Sequence, residues 1–400
     1  MAISRFLTTA TRSAFLSLTL LTIASSYAAA ATSTWVAAGT PSNSLFSYGL
    51  NWSAVPSAGS SLTFAAGSAF AAKGAPVNDL AAGTSFGAID IYEAYNITGN
   101  GVLCDSVNDY NATNATLGLP LGTNGTSVMT ITVTSAGGVL YLPGILSGAG
   151  PVTYGGPGNK VLSNAGNTLS GLTTLGMGTL HIWGSQAASP ISVTNGTLVL
   201  SNDCTVGNVT LSGTTSVLSF NETLAVQNMR GTCAMLNVGG SSKFQVITKG
   251  PAATQYSNIN ASAVTLTAGI LVVDTSTYMP AASSTMTIIN NTGTSPVTGT
   301  FASLAEGAIV TSSTNPATTF TISYVGGTGN DVVLTGRAGN GAGTAGGTST
   351  GWATGTATGS ATGGTGSSSG SSSRCGLGGG MGGALALLLT VGLFALRRRT

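Results

Sequence analysis

The side chains that could perform catalysis are few, and none stands in a complete catalytic pattern. The single histidine, His181, lies beside Trp183 in a run that alternates like a strand. Residues 83–87, Gly-Thr-Ser-Phe-Gly, fit the Gly-x-Ser-x-Gly pattern of a nucleophile elbow. A true elbow joins a strand to a helix, whereas residues 88–91 alternate like a further strand. We therefore interpret His181 as structural and the pattern at Ser85 as a chance match.

The acidic residues are also sparse, ten in 400 residues. Glycan lyases and hydrolases work through clustered acids that give or take protons. A strand and its loop could bring Asp105 close to Asp109, and Asp90 close to Glu93. Each pair is more simply interpreted as a solvated loop pair. We predict no catalytic residue and no enzymatic activity, and the alternative is a polysaccharide lyase or hydrolase.

Residues 326–333, Gly-Gly-Thr-Gly-Asn-Asp-Val-Val, fit one copy of a calcium-binding nonapeptide. In such a site the Asp331 carboxylate and turn carbonyls would supply the hard oxygen ligands that calcium prefers. The motif normally occurs in tandem, because neighbouring turns share each ion. We therefore predict a simple turn before the last strand, with no metal and no cofactor, and keep Asp331 as a weak calcium candidate.

The four cysteines, at positions 104, 204, 233 and 375, lack the close spacing of a zinc site. Export would permit one disulfide, for which Cys204 and Cys233 are candidates. The simpler interpretation is that Cys104, Cys204 and Cys233 are small buried residues.

The composition favours strands and excludes one large class of partners. Charged residues are only 6% of the chain, and Gly accounts for 59 residues. Val, Ile and Thr abound, which suits strands, while Glu and Lys are scarce. Residues 31–373 contain six basic and ten acidic residues, a net charge of −4. A weakly acidic body with scattered cations is not expected to bind nucleic acid.

The N-terminal segment, residues 1–30, has the three parts of a secretory signal peptide. Arg5 and Arg12 precede an apolar run at residues 14–23, and Ala28, Ala29 and Ala30 supply the small residues of a cleavage site. The apolar run is too short to span a bilayer. We predict that signal peptidase cuts after Ala30 and that the protein is exported.

The C-terminal part is expected to be a linker followed by a membrane anchor. Residues 336–374 are almost wholly Gly, Ser, Thr and Ala, a composition typical of a flexible linker. Residues 376–396 are uncharged and about long enough to cross a bilayer. Arg397, Arg398 and Arg399 follow, and the positive-inside rule places them in the cytoplasm.

Residues 375–400 resemble the C-terminal sorting signals of bacterial surface proteins. Ser373, Arg374, Cys375 and Gly376, followed by further glycines, are most similar to the MYXO-CTERM kind, with the GlyGly-CTERM kind second. The resemblance implies that a membrane protease removes the tail, that Cys375 is the processing residue, and that the protein reaches the cell surface. Without processing, the tail would remain a simple membrane anchor.

Residues 31–335 are expected to form one domain of short strands. Gly178-Thr179-Leu180 soon recurs as Gly196-Thr197-Leu198, and residues 209–211 and 217–220 continue the series. A spacing of roughly 20 residues suits one coil of a parallel β-helix, in which stacked coils bury each other's apolar faces. The fold class predicted is all-β, a right-handed parallel β-helix or solenoid. A β-sandwich with long hairpins is the alternative.

Residues 156–180 (GPGNKVLSNAGNTLSGLTTLGMGTL) resemble the autotransporter-associated β-strand repeat, roughly G-x-G-x-L-x-L-S-G-x-N-x-Y-x-G-x-T followed by G-x-L. The copy is degenerate, because Leu169 replaces the usual aromatic and Asn159-Lys160 replaces the usual Gly-Thr-Leu opening. Segments near Trp35 and residues 288–334 resemble the opening and closing segments of the same surface proteins. The resemblance implies a passenger-like β-helix at the cell surface and implies no reaction.

The sequence thus predicts an exported, surface-displayed structural or adhesive protein of a bacterium with a two-membrane envelope. The C-terminal helix would first anchor it in the inner membrane. Its expected partners are signal peptidase, a sorting protease, and extracellular polysaccharide or other cells. An inert sheath or matrix component remains a further alternative.

Overall fold

Nearly all the regular structure is extended chain, as the Val-, Ile- and Thr-rich composition predicts. The structure is a computed structural model that describes residues 31–36, 44–67, 75–220 and 228–340. The expected signal peptide with Ala30, the linker beyond residue 340, and the anchor with Cys375 and Arg397, Arg398 and Arg399 lie outside the described residues.

The described residues form one short 3-10 helix, Gly49–Asn51, and 30 strands. The first fifteen strands are β1 Thr32–Trp35, β2 Ser61–Phe64, β3 Val77–Asn78, β4 Thr84–Ile91, β5 Asn96–Gly99, β6 Val102–Asp109, β7 Asn114–Leu117, β8 Leu121–Thr123, β9 Met129–Val133, β10 Val139–Leu142, β11 Leu146–Gly148, β12 Val152–Gly155, β13 Asn159–Leu162, β14 Thr168–Leu169 and β15 Thr173–Leu175. The remaining strands are β16 Thr179–Ile182, β17 Ile191–Val193, β18 Gly196–Leu200, β19 Cys204–Val206, β20 Val209–Leu211, β21 Ser216–Ser219, β22 Arg230–Gly239, β23 Lys243–Ile247, β24 Asn258–Thr267, β25 Ile270–Asp274, β26 Thr285–Asn291, β27 Thr298–Thr300, β28 Ile309–Thr311, β29 Thr319–Gly326 and β30 Asp331–Gly336.

Most strands pair in parallel in three ladders, and a typical turn of the chain, here called a coil, adds one strand to each ladder. The coil of β17 and β18 has only an isolated bridge, from Gln186 to Val206, in the first ladder. Strands β8, β9 and β10 form one coil. In the next coil β11, β12 and β13 pair with them in the first, second and third ladder respectively. The long strands β4, β6, β22 and β24 belong to the first ladder at their start and to the second at their end. The third ladder is a separate ten-stranded sheet, and the other two share a twenty-stranded sheet.

The repeat seen in the sequence corresponds to pairing between coils. Thr179 and Leu180 of β16 lie opposite Thr197 and Leu198 of β18, which confirms the spacing of that repeat. One detail was wrong: residues 209–211 pair with β17 in the second ladder, whereas β21 continues the third ladder after β18. The prediction treats one strand per coil as the repeat, although a typical coil contributes three. The parallel sheets confirm an all-β chain and are consistent with a β-helix or solenoid, not with a sandwich of hairpins.

Rows of aliphatic side chains fill the interior between the ladders. One row in the third ladder stacks Leu142, Leu162, Ile182 and Leu200, all buried. The neighbouring row contains Leu140, Lys160, Leu180 and Leu198, so a lysine occupies an aliphatic position. Burying a charge is costly unless its donors are satisfied. The Lys160 ammonium donates to the carbonyl oxygens of Gly156, Gly158 and Met177 at 2.6, 2.9 and 3.2 Å.

Glycine forms the corner between the second and third ladders. Gly156, Gly178 and Gly196 all have positive φ, +72°, +77° and +98°. A Cβ added to Gly178 would lie 2.4 Å from the carbonyl oxygen of Gly156, and one on Gly196 would lie equally close to that of Gly178. The corner therefore requires glycine both for its backbone conformation and for the close approach of successive coils.

Strands β26 and β27 still pair in parallel with β24, and the strands that follow Thr300 pair antiparallel. Strand β28 pairs with β29, and β30 pairs with both β29 and β26. Strand β30 ends at Gly336, and Asn340 still packs on the body, exchanging hydrogen bonds with the backbone of Thr319 at 3.0 Å. The body therefore continues a few residues past the boundary expected at 335. None of the helical residues described forms a segment long and apolar enough to cross a bilayer.

Candidate functional surface

The four acids of the enzyme alternative do not form a single carboxylate cluster. Asp90 faces outward and accepts a hydrogen bond at 2.8 Å from the amide of Asn108, its register neighbour. Asp109 faces the interior and is fully buried. Glu93 accepts from the backbone N–H of Gly67 at 2.6 Å, and Asp105 is exposed. No group of three or more His, Cys, Asp or Glu residues in the described ranges could hold a metal ion.

Asp109 is the most perturbed of these carboxyl groups. One oxygen accepts the backbone N–H of Asn111 at 2.9 Å, and the other has no hydrogen-bond partner among the described residues. Burial raises the pKa of Asp109 to about 6, against the lowering effect of the Asn111 hydrogen bond. The carboxyl faces Ile91 and Val133 in the stacked interior. Its position favours a structural role over proton transfer to an external substrate.

The His181 and Ser85 candidates lie in strands. His181 is in β16, 3% exposed, with its Nε2 3.3 Å from the amide oxygen of Asn159 on the adjacent coil. Ser85 is near the start of the eight-residue strand β4, with no helix after it. The strand-to-helix turn of a nucleophile elbow is therefore missing at Ser85.

The Asp331 carboxylate is held by backbone N–H donors. One oxygen accepts from Asn291 at 2.9 Å and the other from Thr328 at 3.1 Å. The Asn330 amide donates to the carbonyl of Gly293 at 2.7 Å. Donors that point at a carboxylate compete with a cation for its oxygens. The hydrogen bonds of Asp331 and Asn330 therefore hold the turn before β30 against the end of β26 and the residues that follow it.

The three cysteines in the described residues, Cys104, Cys204 and Cys233, are free and buried. Cys204 lies opposite Gly231, and Cys233 lies opposite Val206, so the candidate pair is out of register. Burial raises the pKa of each thiol to about 12. A raised thiol pKa suppresses the reactive thiolate, so these are packing residues.

A long row of polar side chains runs along the outside of the second ladder. We call it the polar row, and its members are register neighbours on nine successive coils: Ser106, Thr130, Thr153, Thr174, Ser192, Thr210, Asn237, Thr265 and Thr298. For every member between Ser106 and Thr298, the residues directly before and after it point inward and are buried, as strand alternation requires. The row is therefore a direct product of period-two patterning repeated on each coil.

The polar row presents unused hydrogen-bonding groups. The side chains of Thr130, Thr153, Thr174, Ser192 and Thr210 make no hydrogen bond to another described residue. The amide oxygen of Asn237 is shielded and also without a partner there. The five hydroxyl groups, unlike the shielded oxygen of Asn237, are free to bind water or a ligand.

Two residues before each of four successive polar-row members lies a second row, made of apolar side chains. We call Val128, Pro151, Leu172 and Pro190 the apolar row; they occupy four successive coils beside Thr130, Thr153, Thr174 and Ser192. Val128 is 51% exposed and Leu172 is 45% exposed. Neither row contains a charged residue.

The sequence alone does not predict these two rows. Coil spacing in the second ladder is uneven, because Thr174 and Ser192 are much closer in sequence than Asn237 and Thr265 are. No constant period therefore reveals the register. What the sequence does contain is a local pattern within many short strands, in which a Ser or Thr residue precedes a buried aliphatic residue.

Comparisons with known proteins add no assignment: no family model, no curated protein and no solved structure matches the chain.

Proposed function

We propose that the chain is an exported, surface-displayed protein with a structural or adhesive role and no catalytic activity, built as a right-handed parallel β-helix. The carrying observation is the polar row, which repeats a polar side chain, in all but one case a hydroxyl, over nine coils. An extended array of weak, equivalent contacts suits adhesion, because many sites act together.

The ends of the chain support export and display. The signal-peptide pattern at residues 1–30 and the apolar, arginine-terminated segment at residues 375–400 are sequence features of an exported protein with a sorting tail. The resemblance of residues 156–180 to the autotransporter-associated repeat supports the same location. In this proposal signal peptidase removes the leader, and a membrane protease acts at Cys375.

Adhesion is tested by comparing aggregation of cells with and without the gene, and by probing a glycan array with the released protein. We expect stronger aggregation in the wild type and binding to at least one glycan. Equal aggregation together with no glycan bound would overturn the adhesive role and leave an inert sheath component.

Display is tested by the intact mass of the protein released from cells. The proposal expects loss of residues 1–30 and of the residues after about 374, and a Cys375→Ala variant that keeps its tail. Normal release of that variant would contradict the role of Cys375.

The lyase or hydrolase alternative is tested by incubating the protein with polysaccharides and measuring new reducing ends or unsaturated products. Product formation that is lost in Asp90→Asn or Asp105→Asn would establish the enzyme and overturn our assignment.

A further inference from the structure

The polar and apolar rows point to a particular class of ligand, an inference that rests on the proposed adhesive function. We propose that the two rows together bind a neutral, extended polysaccharide that runs along the stack of coils, with about one sugar unit per coil. The contact would extend from the coil of Thr130 to that of Ser192, where both rows are present, and continue along the polar row.

The spacing of the rows matches such a ligand. Parallel pairing places Thr130, Thr153 and Thr174 on adjacent strands, which lie about 4.8 Å apart. An extended β-linked glycan advances by a similar distance for each sugar. Successive sugars can therefore meet equivalent groups on successive coils without a change of conformation.

The two rows also match the two kinds of surface on a sugar ring. Ring hydroxyls can donate to and accept from the Thr and Ser hydroxyls, which each have one donor and two acceptor positions. The C–H face of the ring can pack on Val128, Pro151 and Leu172, whose exposure leaves apolar surface to cover. A ligand of one polarity alone would leave one of the rows unmatched.

Charge separates neutral from acidic glycans. Neither row carries a charged side chain, and residues 31–373 have a net charge of −4. An anionic polysaccharide would find no cation in the rows and would be repelled by the body as a whole. The uncharged rows therefore favour a neutral glycan.

The rows are ordered before any ligand arrives. Thr130, Thr153 and Thr174 are β-branched, so few χ1 rotamers are available to them, and their backbones are fixed by pairing on both sides. A preorganised site loses little side-chain entropy on binding. Modest contacts per coil can then add up along the stack.

The test uses calorimetry with the released, full-length mature protein and neutral β-1,4-linked glucan oligosaccharides of increasing length. We expect affinity to rise with each added sugar. We expect polygalacturonate, which is anionic, and coiled α-linked amylose to bind at least tenfold more weakly. Equal or tighter binding of polygalacturonate, or affinity that does not depend on length, would overturn the proposal.

The decisive variant is Thr153→Val with Thr174→Val, which removes two hydroxyls and keeps the shape and strand preference of both residues. We expect about a tenfold loss of glucan affinity, corresponding to two modest hydrogen bonds. The matched control is Thr179→Val with Thr197→Val, another register pair on adjacent coils, which lies in the third ladder. The control should bind within twofold of wild type, and equal losses in both pairs would contradict the assignment to the rows.

The same variants separate this ligand assignment from the proposed function. If wild-type cells aggregate but the Thr153/Thr174 variant binds and aggregates as well as wild type, the rows are not the binding surface and adhesion stands. If wild type neither aggregates cells nor binds any glycan, both proposals fail.

Discussion

The parallel coils and the antiparallel C-terminal segment of the same chain are held together by different means. In the coils, β-ladders and buried aliphatic rows carry the structure, and outward side chains such as Thr153 and Thr174 have no fastening role. In the antiparallel segment after Thr300, side chains add links to the ladders: Tyr324 donates from its hydroxyl to the carbonyl of Leu304 at 2.7 Å and accepts from the N–H of Phe301 at 3.1 Å.

The difference shows how an open-ended repeat is brought to a stop. A stack of parallel coils leaves an unpaired edge that could accept another strand. Here β30 runs antiparallel to β26 and β29, and Asp331 fixes the turn that starts it. Terminal repeats that differ from the inner ones are the usual way for solenoids to end. The outward side chains of the coils are thus available for contacts with other molecules, while the C-terminal segment covers the end of the stack.

The largest expected effect comes from disturbing the contact between coils at Gly178. Gly178→Ala adds a Cβ 2.4 Å from the Gly156 carbonyl oxygen at a φ of +77°. We expect a loss of about 4 kcal/mol in unfolding free energy, measured by urea denaturation, because the backbone on both coils must shift.

Gly307→Ala is the matched control, since Gly307 has a φ of +76° with nothing within 4 Å. It should lose only about 1 kcal/mol, the cost of the left-handed conformation alone. Equal losses in the two variants would mean that coils do not approach closely at this corner.

A smaller and more local effect is expected in the C-terminal segment. Asp331→Ala removes the acceptor of the Asn291 and Thr328 N–H groups, and we expect a loss of about 2 kcal/mol. Hydrogen exchange should quicken in β26 and β30 and stay unchanged in β12 to β18. Asp203→Asn serves as control, because it removes the charge of a half-exposed ion pair with Arg230, keeps a residue that tolerates the φ of +55°, and is expected to cost well under about 1 kcal/mol. Calcium that stabilises wild type but not Asp331→Ala would contradict the turn interpretation and restore the calcium site.

The sequence predicts the parallel coils better than it predicts the closing segment. The repeat predicts adjacent strands correctly, because the same glycine corner and the same inward leucine recur in Gly178-Thr179-Leu180 and Gly196-Thr197-Leu198. Residues 320–324 alternate just as regularly, yet they lie in antiparallel β29. Alternation reports which side chains face inward and carries no information on strand direction.

The candidate surface could be predicted only as a composition. A chain rich in Thr, Ser and Asn implies polar outer faces, but the polar row depends on which residues lie opposite one another. The register is set by the number of residues between successive members, which is larger from Thr210 to Asn237 than from Ser192 to Thr210. The burial of Lys160 could not be predicted from the sequence either, because it depends on three carbonyl groups that only the folded corner brings together.

A separate effect, on pH dependence alone, is expected from Asp109 within the coils. Burial raises its pKa to about 6 from an ordinary value of 3.8. The unfolded chain therefore releases the proton at lower pH than the folded chain does. The stability contributed by the protonated group is complete below about pH 4 and is lost as pH rises to about 6, by roughly 3 kcal/mol for a shift of about two pKa units.

This dependence is checked by urea denaturation of Asp109→Asn between pH 4 and pH 7, since other carboxylates contribute to the wild-type profile. The variant should lose less stability than wild type over that interval and be the more stable protein at pH 7. Asp105→Asn, which alters an exposed carboxylate, should keep the wild-type slope. A wild-type slope in Asp109→Asn would show that the carboxyl is solvated in the folded protein.

The central claim, that successive coils stack in register beneath one continuous polar row, is tested most directly by a distance along that row. Spin labels at Thr130→Cys and Thr265→Cys, in a Cys375→Ser background, can be measured by pulsed electron–electron double resonance, while the buried native thiols stay unlabelled. The two positions are six register steps apart, so adjacent strands spaced at about 4.8 Å place their backbones about 29 Å apart. A single distribution centred near that distance is the predicted result. A distribution centred below about 20 Å or above about 40 Å would contradict the stack on which the adhesive surface depends.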